Sequence, residues 1–252
     1  MTRLSRDELR HLGGLLRPAG RREANLLLVP GPKCALEYLR AGGRPRLIVV
    51  DPGREDVWRP LLERLPAGLG LSLARHARGH ELARLADQPS PEGLVLVGPP
   101  PRTDTSRPPL LLLDGVQDPG NLGAILRSAL WFGLDRVGLL TPCADPWSPR
   151  GIRASMGAVF HLASCVVVDD MAGLPAGGRL VGLDAHDGIA LEEFRFREND
   201  VLVLGSESHG LRVPGERIDA RLRIPGAGRL ESLNVGHAMA ICAWERFRRG
   251  SC

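Results

Sequence analysis

Six short apolar runs in the later part of the chain constrain its architecture more than any other feature: Leu110–Leu113, Val137–Leu140, Cys165–Val168, Leu180–Leu183, Val201–Leu204 and Leu222–Ile224. Each is apolar at nearly every position rather than at every second one, as in strands covered on both faces. Such strands run parallel, and parallel neighbours need a crossover, usually a helix. Two segments between and after the runs have helical spacing. Asn121–Phe132 places Ile125, Ser128, Ala129 and Phe132 on one stripe, and Leu233–Phe247 does the same with Val235, Ala238, Met239, Cys242 and Phe247. The expectation is an α/β domain with a parallel sheet covered by helices.

Upstream, shorter β-rich runs (Leu26–Val29, Leu47–Val50, Leu71–Leu73, Leu94–Val97) alternate with helical patterns around Lys33–Ala41, Val57–Leu65 and Glu81–Ala86. A basic helix over Arg6–Arg17 is expected in front of them, so residues 1–98 read as a small α/β module. Residues 98–109, Gly-Pro-Pro-Pro-Arg-Thr-Asp-Thr-Ser-Arg-Pro-Pro, hold five prolines and no apolar periodicity. They read as an exposed linker over 99–109, leaving residues 110–252 as the second domain.

Charge divides the same way. Residues 1–98 hold 16 Lys and Arg against 11 Asp and Glu, whereas residues 99–252 hold 17 against 18. A basic surplus in the first domain suits contact with phosphate, although a solvated arginine-rich surface has the same composition. The apolar runs are too short for a membrane span, and the first residues lead into no apolar signal core, so a soluble cytoplasmic protein is expected. Cys34, Cys143, Cys165, Cys242 and Cys252 form no C-x-x-C pair. Neither a metal site nor a disulfide framework is expected.

Three segments of the second domain look unlike packing. In 114–127 a buried strand ends in a Gly/Asp/Pro turn and a helix starts near Asn121, which reads equally well as the helix N-cap. Arg127, among Ile125, Leu126, Ala129 and Leu130, would normally need a carboxylate or phosphate partner, although taken alone it reads first as a surface or salt-bridged arginine. In 201–211 a strand runs into a turn dense in small residues. A nucleophile elbow at Ser208, with His237 and Asp219 as partners, is a rival reading, but Ser206 stands where the elbow needs glycine. In 224–235 a strand, a glycine loop and the last helix follow one another, with Ser232 or Asn234 as candidate caps. Neither a dinucleotide fingerprint nor a P-loop is present.

Taken together, Asn-x-Gly-Ala-x-x-Arg at 121–127, Gly-Ser-Glu at 205–207 with Gly210-Leu211, and Ile224-Pro followed by Ser232-Leu-Asn-Val235 resemble the three ordered motifs of the SpoU family of RNA 2′-O-ribose methyltransferases, of the SPOUT class. The likeness spans residues 110–248 and includes the segment 145–158. Residues 1–98 resemble more loosely the ribosomal-protein-like RNA-binding module found in front of many members, with Val29-Pro-Gly31 departing from its usual pattern.

The resemblance implies a methyltransferase domain with a C-terminal trefoil knot, S-adenosyl-L-methionine as cofactor, RNA as substrate and a homodimer. It implies cofactor contacts at Leu183, Leu204, Gly205, Ile224 and Leu233. It implies catalytic roles for Arg127, Asn121, Glu207, Ser232 and Asn234. Arginine is a poor general base in isolation, so Arg127 would orient the RNA phosphate or work with it in proton removal. His209 and His237 read as loop and helix-start residues. Large-subunit ribosomal RNA is the expected substrate, with transfer RNA, or a non-catalytic RNA-binding or ribosome-assembly role, as alternatives.

Overall fold

The computed structural model describes residues 1–65, 69–206 and 209–250. Its first elements in chain order are β1 (Thr2–Arg3), α1 (Arg6–Gly14), α2 (Pro18–Ala24), β2 (Leu27–Pro30), α3 (Gly31–Arg40), β3 (Leu47–Val50), α4 (Glu55–Leu62), α5 (Leu69–Leu73), β4 (Ala74–His76), α6 (Gly79–Ala86) and β5 (Leu94–Gly98). They continue with β6 (Leu111–Asp114), α7 (Pro119–Trp131), β7 (Arg136–Leu140), α8 (Pro149–Ala154), β8 (Ser164–Val168), β9 (Leu180–Leu183), β10 (Ile189–Ala190), β11 (Val201–Gly205), β12 (Ala220–Arg223) and α9 (Val235–Arg248).

The chain forms two compact units, Met1–Arg102 with Asp145–Phe160, and Thr103–Ala144 with His161–Cys252. The boundary at Arg102 falls inside the proline-rich stretch, which carries neither helix nor strand. Asp145–Phe160, grouped by its motifs with the second domain, packs in the first unit. No apolar pattern announces this, because the segment's partners lie 66 to 124 residues earlier.

In the first unit a five-stranded mixed sheet runs in the order β1-β4-β3-β5-β2. Leu12, Leu28, Val49, Leu82, Leu85, Val95 and Val97 belong to one buried cluster. The basic helix expected over Arg6–Arg17 starts at Arg6 but ends at Gly14, and a second helix follows from Pro18. Ser5 and Glu8 start α1 with a reciprocal capping box, Gly13-Gly14 weakens its end, and Pro18 opens α2 at a first-turn position. A Cβ on Gly20 would lie 2.3 Å from the Gly14 carbonyl oxygen, so the second helix turns in only because glycine stands there. The run Leu71–Leu73, expected as a strand, belongs to α5, and the strand is the next three residues, Ala74–His76. Leu-Ser-Leu is too short to separate the strand period of two from the helical one.

Residues 145–160 are tied in by polar contacts. The buried Arg21 donates to the Leu15 carbonyl at 2.7 Å and pairs with Asp145, and burial lowers its pKa to about 10. Arg153 donates to the carbonyls of Ala86 and Asp87 at 2.9 and 3.1 Å, closing the end of α6. The Cys34 thiol points at the Ile152 carbonyl, and Tyr38 meets Phe160 edge-on with ring centres 5.4 Å apart.

The second unit is a seven-stranded sheet in the order β10-β12-β9-β11-β6-β7-β8, parallel at every pairing. The strands β6 and β7 are buried at every residue, as their sequences require. The edge strand β8 departs from the expectation of burial on both faces: Val167 is exposed. The stripe of α9 also needs correcting at one end. Val235, Ala238, Met239 and Cys242 are buried, but Phe247 is exposed. The two-residue strands β1 and β10 are too short to leave a pattern.

A fragment of residues 1–102 is expected to lack the cooperative melt of the full chain, because it exposes Tyr38 and leaves Arg21 buried without Asp145. Circular dichroism on heating tests this; a sharp transition in the fragment would show that residues 145–160 are dispensable to the first unit.

Candidate active site

All seven strands point one way, so their C-terminal ends share one edge of the sheet, where α/β proteins bind their ligands. Three neighbouring ends carry the expected cofactor residues. Leu183 closes β9, Leu204 and Gly205 close β11, and Ile224 directly follows β12. Register places Gly205 opposite Asp114 of β6, and Leu183 opposite Leu222 of β12. Leu204 is buried, while Leu183, Gly205 and Ile224 are half-buried. Leu233 stands apart in the exposed loop before α9.

The chain leaving β11 folds back at once. Ser206 and Gly210 exchange both backbone hydrogen bonds at 3.1 and 3.0 Å, and Gly210 has a φ of +63°. A Cβ on Gly205 would meet the Gly210 backbone at 2.1 Å, so this strand end must be bare. Glu207, an expected catalytic residue, lies outside the described residues, as does Ser208. On the next strand, Asp184 follows Leu183 and accepts backbone N–H bonds from His186 at 3.0 Å and Asp187 at 3.1 Å, with Arg221 at 2.9 Å. The His186 bond is the largest cause that holds its carboxyl below the usual range.

Two expected catalytic residues meet directly. Asn234 is the N-cap of α9, its Oδ1 accepting from the backbone of Gly236 at 3.0 Å and His237 at 3.3 Å. Its Nδ2 donates to Asn121 Oδ1 at 2.8 Å. One carboxamide thus starts the last helix and joins it to the first turn of α7. Asn121 is not the cap of α7; Asp118 is, accepting from the Asn121 N–H at 2.7 Å.

Arg127 has the surface setting that its sequence context alone favoured. It is exposed, and among the described residues it makes no hydrogen bond or ion pair. The apolar neighbours in its sequence face the core from the other side of α7, so its guanidinium is left toward solvent. Ser232 is likewise exposed, two residues before the Asn234 cap. Neither is bonded to the Asn121–Asn234 pair.

Of the residues of the hydrolase reading, Ser208 lies outside the described residues, and no hydrogen bond or ion pair joins Asp219 to His237. Asp219 accepts from the Leu180 N–H at 2.7 Å, at the start of β9 and hence at the opposite edge of the sheet from the strand ends above. The His237 N–H serves the helix cap. Among the described residues no group of three His, Cys, Asp or Glu side chains is placed to hold a metal ion, and no helix is long and apolar enough to cross a membrane.

Sequence reasoning missed two residues here, Asp114 and Arg212. The Asp114 carboxylate, 1% exposed, accepts from Arg212 Nε at 3.0 Å, from Arg212 Nη2 at 2.8 Å, and from the backbone N–H groups of Arg212 and Val213. A carboxylate ending a wholly apolar strand was a visible signal; its partner, far along the chain, gave none.

A parallel α/β domain whose ligand edge is built from bare strand ends and two joined helix starts defines the general class. The profile of the SpoU rRNA Methylase family matches residues 108–244, more than half of the chain, and the chain belongs to that family. It is 31% identical over 68% of its length to an uncharacterized tRNA/rRNA methyltransferase of Synechocystis, of which it spans 66%, just under two thirds. It is 28% identical to the 23S rRNA (guanosine(2553)-2′-O)-methyltransferase RlmP of Bacillus subtilis, over 89% of each chain. The crystal structure of the SpoU methyltransferase AviRb from Streptomyces viridochromogenes in complex with AdoMet superposes with a TM-score of 0.79 at 26% identity, covering 97% of this chain and 98% of that one.

Asn234→Asp is expected to keep the helix cap, leaving stability within about 0.5 kcal/mol, while losing the donor to Asn121. Asn234→Ala loses both and should cost about 1 kcal/mol or more in a chemical denaturation series. Equal stability of all three proteins would remove Asn234 from the cap.

Proposed function

We propose that this chain transfers a methyl group from S-adenosyl-L-methionine to a ribose 2′-hydroxyl of 23S-type ribosomal RNA. The observation that carries the reading is the meeting of the three motifs at one sheet edge: bare Gly205 between the ends of β9 and β6, and Asn121, in the first turn of the helix that follows β6, bonded to Asn234. The family membership and the AdoMet complex of AviRb support the same cofactor.

The residues present fit the cofactor. The half-buried Leu183 and Ile224 give apolar walls for an adenine face, Leu204 offers backbone, and Gly205 brings backbone close without a side chain. Leu233 completes the set from the loop before α9. When bound, S-adenosylmethionine supplies an electrophilic methyl carbon on a sulfonium. The chain's own residues then align the ribose oxygen with that carbon and assist loss of its proton. Arg127, with no partner in the described chain, takes the RNA phosphate next to the target ribose. Asn121 and Asn234 hold the two helix starts in place, and Glu207 and Ser232 are assigned to the ribose.

The first unit, with its basic surplus, is assigned to RNA binding. The exposed side chains of Trp131, Ile241, Trp244 and Phe247, with Phe132 packed against the last two at 6.0 and 5.9 Å, form an apolar face that suits a homodimer. A C-terminal trefoil knot is consistent with the path of α9, which follows the outlying β12 yet packs back on α7, across β9 and β11 in the sheet order. The reaction belongs in the cytoplasm, where ribosomal RNA and reduced cysteines are found.

Incubation with labelled S-adenosylmethionine and unmodified ribosomal RNA, followed by nuclease digestion, is expected to place label in one 2′-O-methyl nucleoside. Label in a base, or in transfer RNA alone, would overturn the stated reaction or substrate. Arg127→Ala should abolish transfer and leave cofactor affinity within about twofold; full activity would remove Arg127 from the mechanism.

A further inference from the structure

We propose that Asp114 and Arg212 are positioning residues for the methyl donor, clamping the chain that returns from the β11 turn onto the end of β6 and so fixing the shape of the cofactor edge. The inference rests on the reading that the ends of β9, β11 and β12 hold S-adenosylmethionine.

Asp114 ends β6 directly opposite Gly205, the last residue of β11. Both of its oxygens are used, Oδ1 by the Arg212 guanidinium fork and Oδ2 by the backbone N–H groups of Arg212 and Val213. Arg212 Nη2 also donates to the Thr141 carbonyl at 2.7 Å, just past the end of β7. One guanidinium therefore joins two strand ends to the segment leaving the turn. The adjacent Leu211 carries this placement further: a Cβ on Gly182 would lie 2.7 Å from Leu211 Cδ1, so Leu211 presses on β9 one residue before Leu183.

The chain reverses where Ser206 and Gly210 exchange their backbone hydrogen bonds, and Leu211 follows directly. The position of this reversal is set by the strand at one end and the Asp114 clamp at the other. Removing the fork leaves the sheet intact, since β6 and β11 pair through backbone, but it frees the turn. A forked, charge-assisted pair gives a fixed orientation that a point charge or an apolar side chain does not.

The test uses the full chain and isothermal titration with S-adenosylmethionine. Wild-type protein is measured first, and absence of binding there retires the functional reading, and this inference with it, before any variant is made. Arg212→Ala is expected to raise Kd about ten- to a hundredfold, the loss of hydrogen bonds to a charged group, while still melting cooperatively. Low millimolar guanidinium chloride should restore the affinity by filling the vacated site. Unchanged affinity overturns the proposal, as does a loss that guanidinium leaves unrestored in a folded protein. If Arg212→Ala does not fold, Arg212→Lys decides. A raised Kd, with kcat at saturating cofactor within about twofold of wild type, supports the clamp; an unchanged Kd overturns it.

Discussion

Parallel pairing is the constraint from which the second unit follows. A strand that runs parallel to its neighbour cannot be reached by a tight hairpin, so the chain must leave one end of the sheet, cross a face and re-enter at the other. With seven strands treated this way, every exit lies at a single edge and every entry at the opposite one. Segments distant in sequence are thereby gathered without any attraction between their side chains. The three motifs are neighbours because they are all exits, and Asp219 is excluded from their company because it stands at an entry.

What the sheet gathers, buried charge then fixes. Asp114 holds the limb after the β11 turn. At the other edge Asp200, nearly inaccessible, takes the fork of Arg179 at 3.0 and 2.7 Å, and the buried Arg246 of α9 donates to the carbonyls of Asp200 and Glu198 at 2.7 and 2.6 Å. Each of these groups would be costly to bury alone and is saturated instead. Their common effect is orientation: irregular segments that have no ladder of their own are held by polar forks to elements that do. Such contacts specify one arrangement more than they add net stability.

The sequence made the second unit legible because burial on both faces writes itself as near-continuous apolar runs, and six of the seven strands were visible that way, although β12 proves buried only at Leu222. The exception, Ile189–Ala190, is two residues long. In the first unit the same rule failed at Leu71–Leu73, where three residues could not distinguish helix from strand. The motif residues were visible as types, but their setting was not. Nothing local says that Asn234 reaches Asn121, 113 positions away, or that Arg127 has no partner among the described residues. Asp114 was visible as an anomaly, and its role was not, since Arg212 lies 98 positions on.

The chain's return to the first unit at Asp145–Phe160 has a consequence in time. A protein emerges from the ribosome N-terminus first, and domains generally close in that order. Here the first unit lacks Asp145, Ile152 and Phe160 until Thr103–Ala144 has been made, a stretch that already contains β6, α7 and β7. The N-terminal unit therefore waits, its Arg21 and Tyr38 uncovered, while the first strands of the catalytic sheet are synthesised. Those strands in turn lack β11, the central partner of β6, until residue 205 is out. The first unit can close once residue 160 is out and the second only after residue 205, so the interval before residue 160 appears is when a nascent chain of this design most needs protection from aggregation.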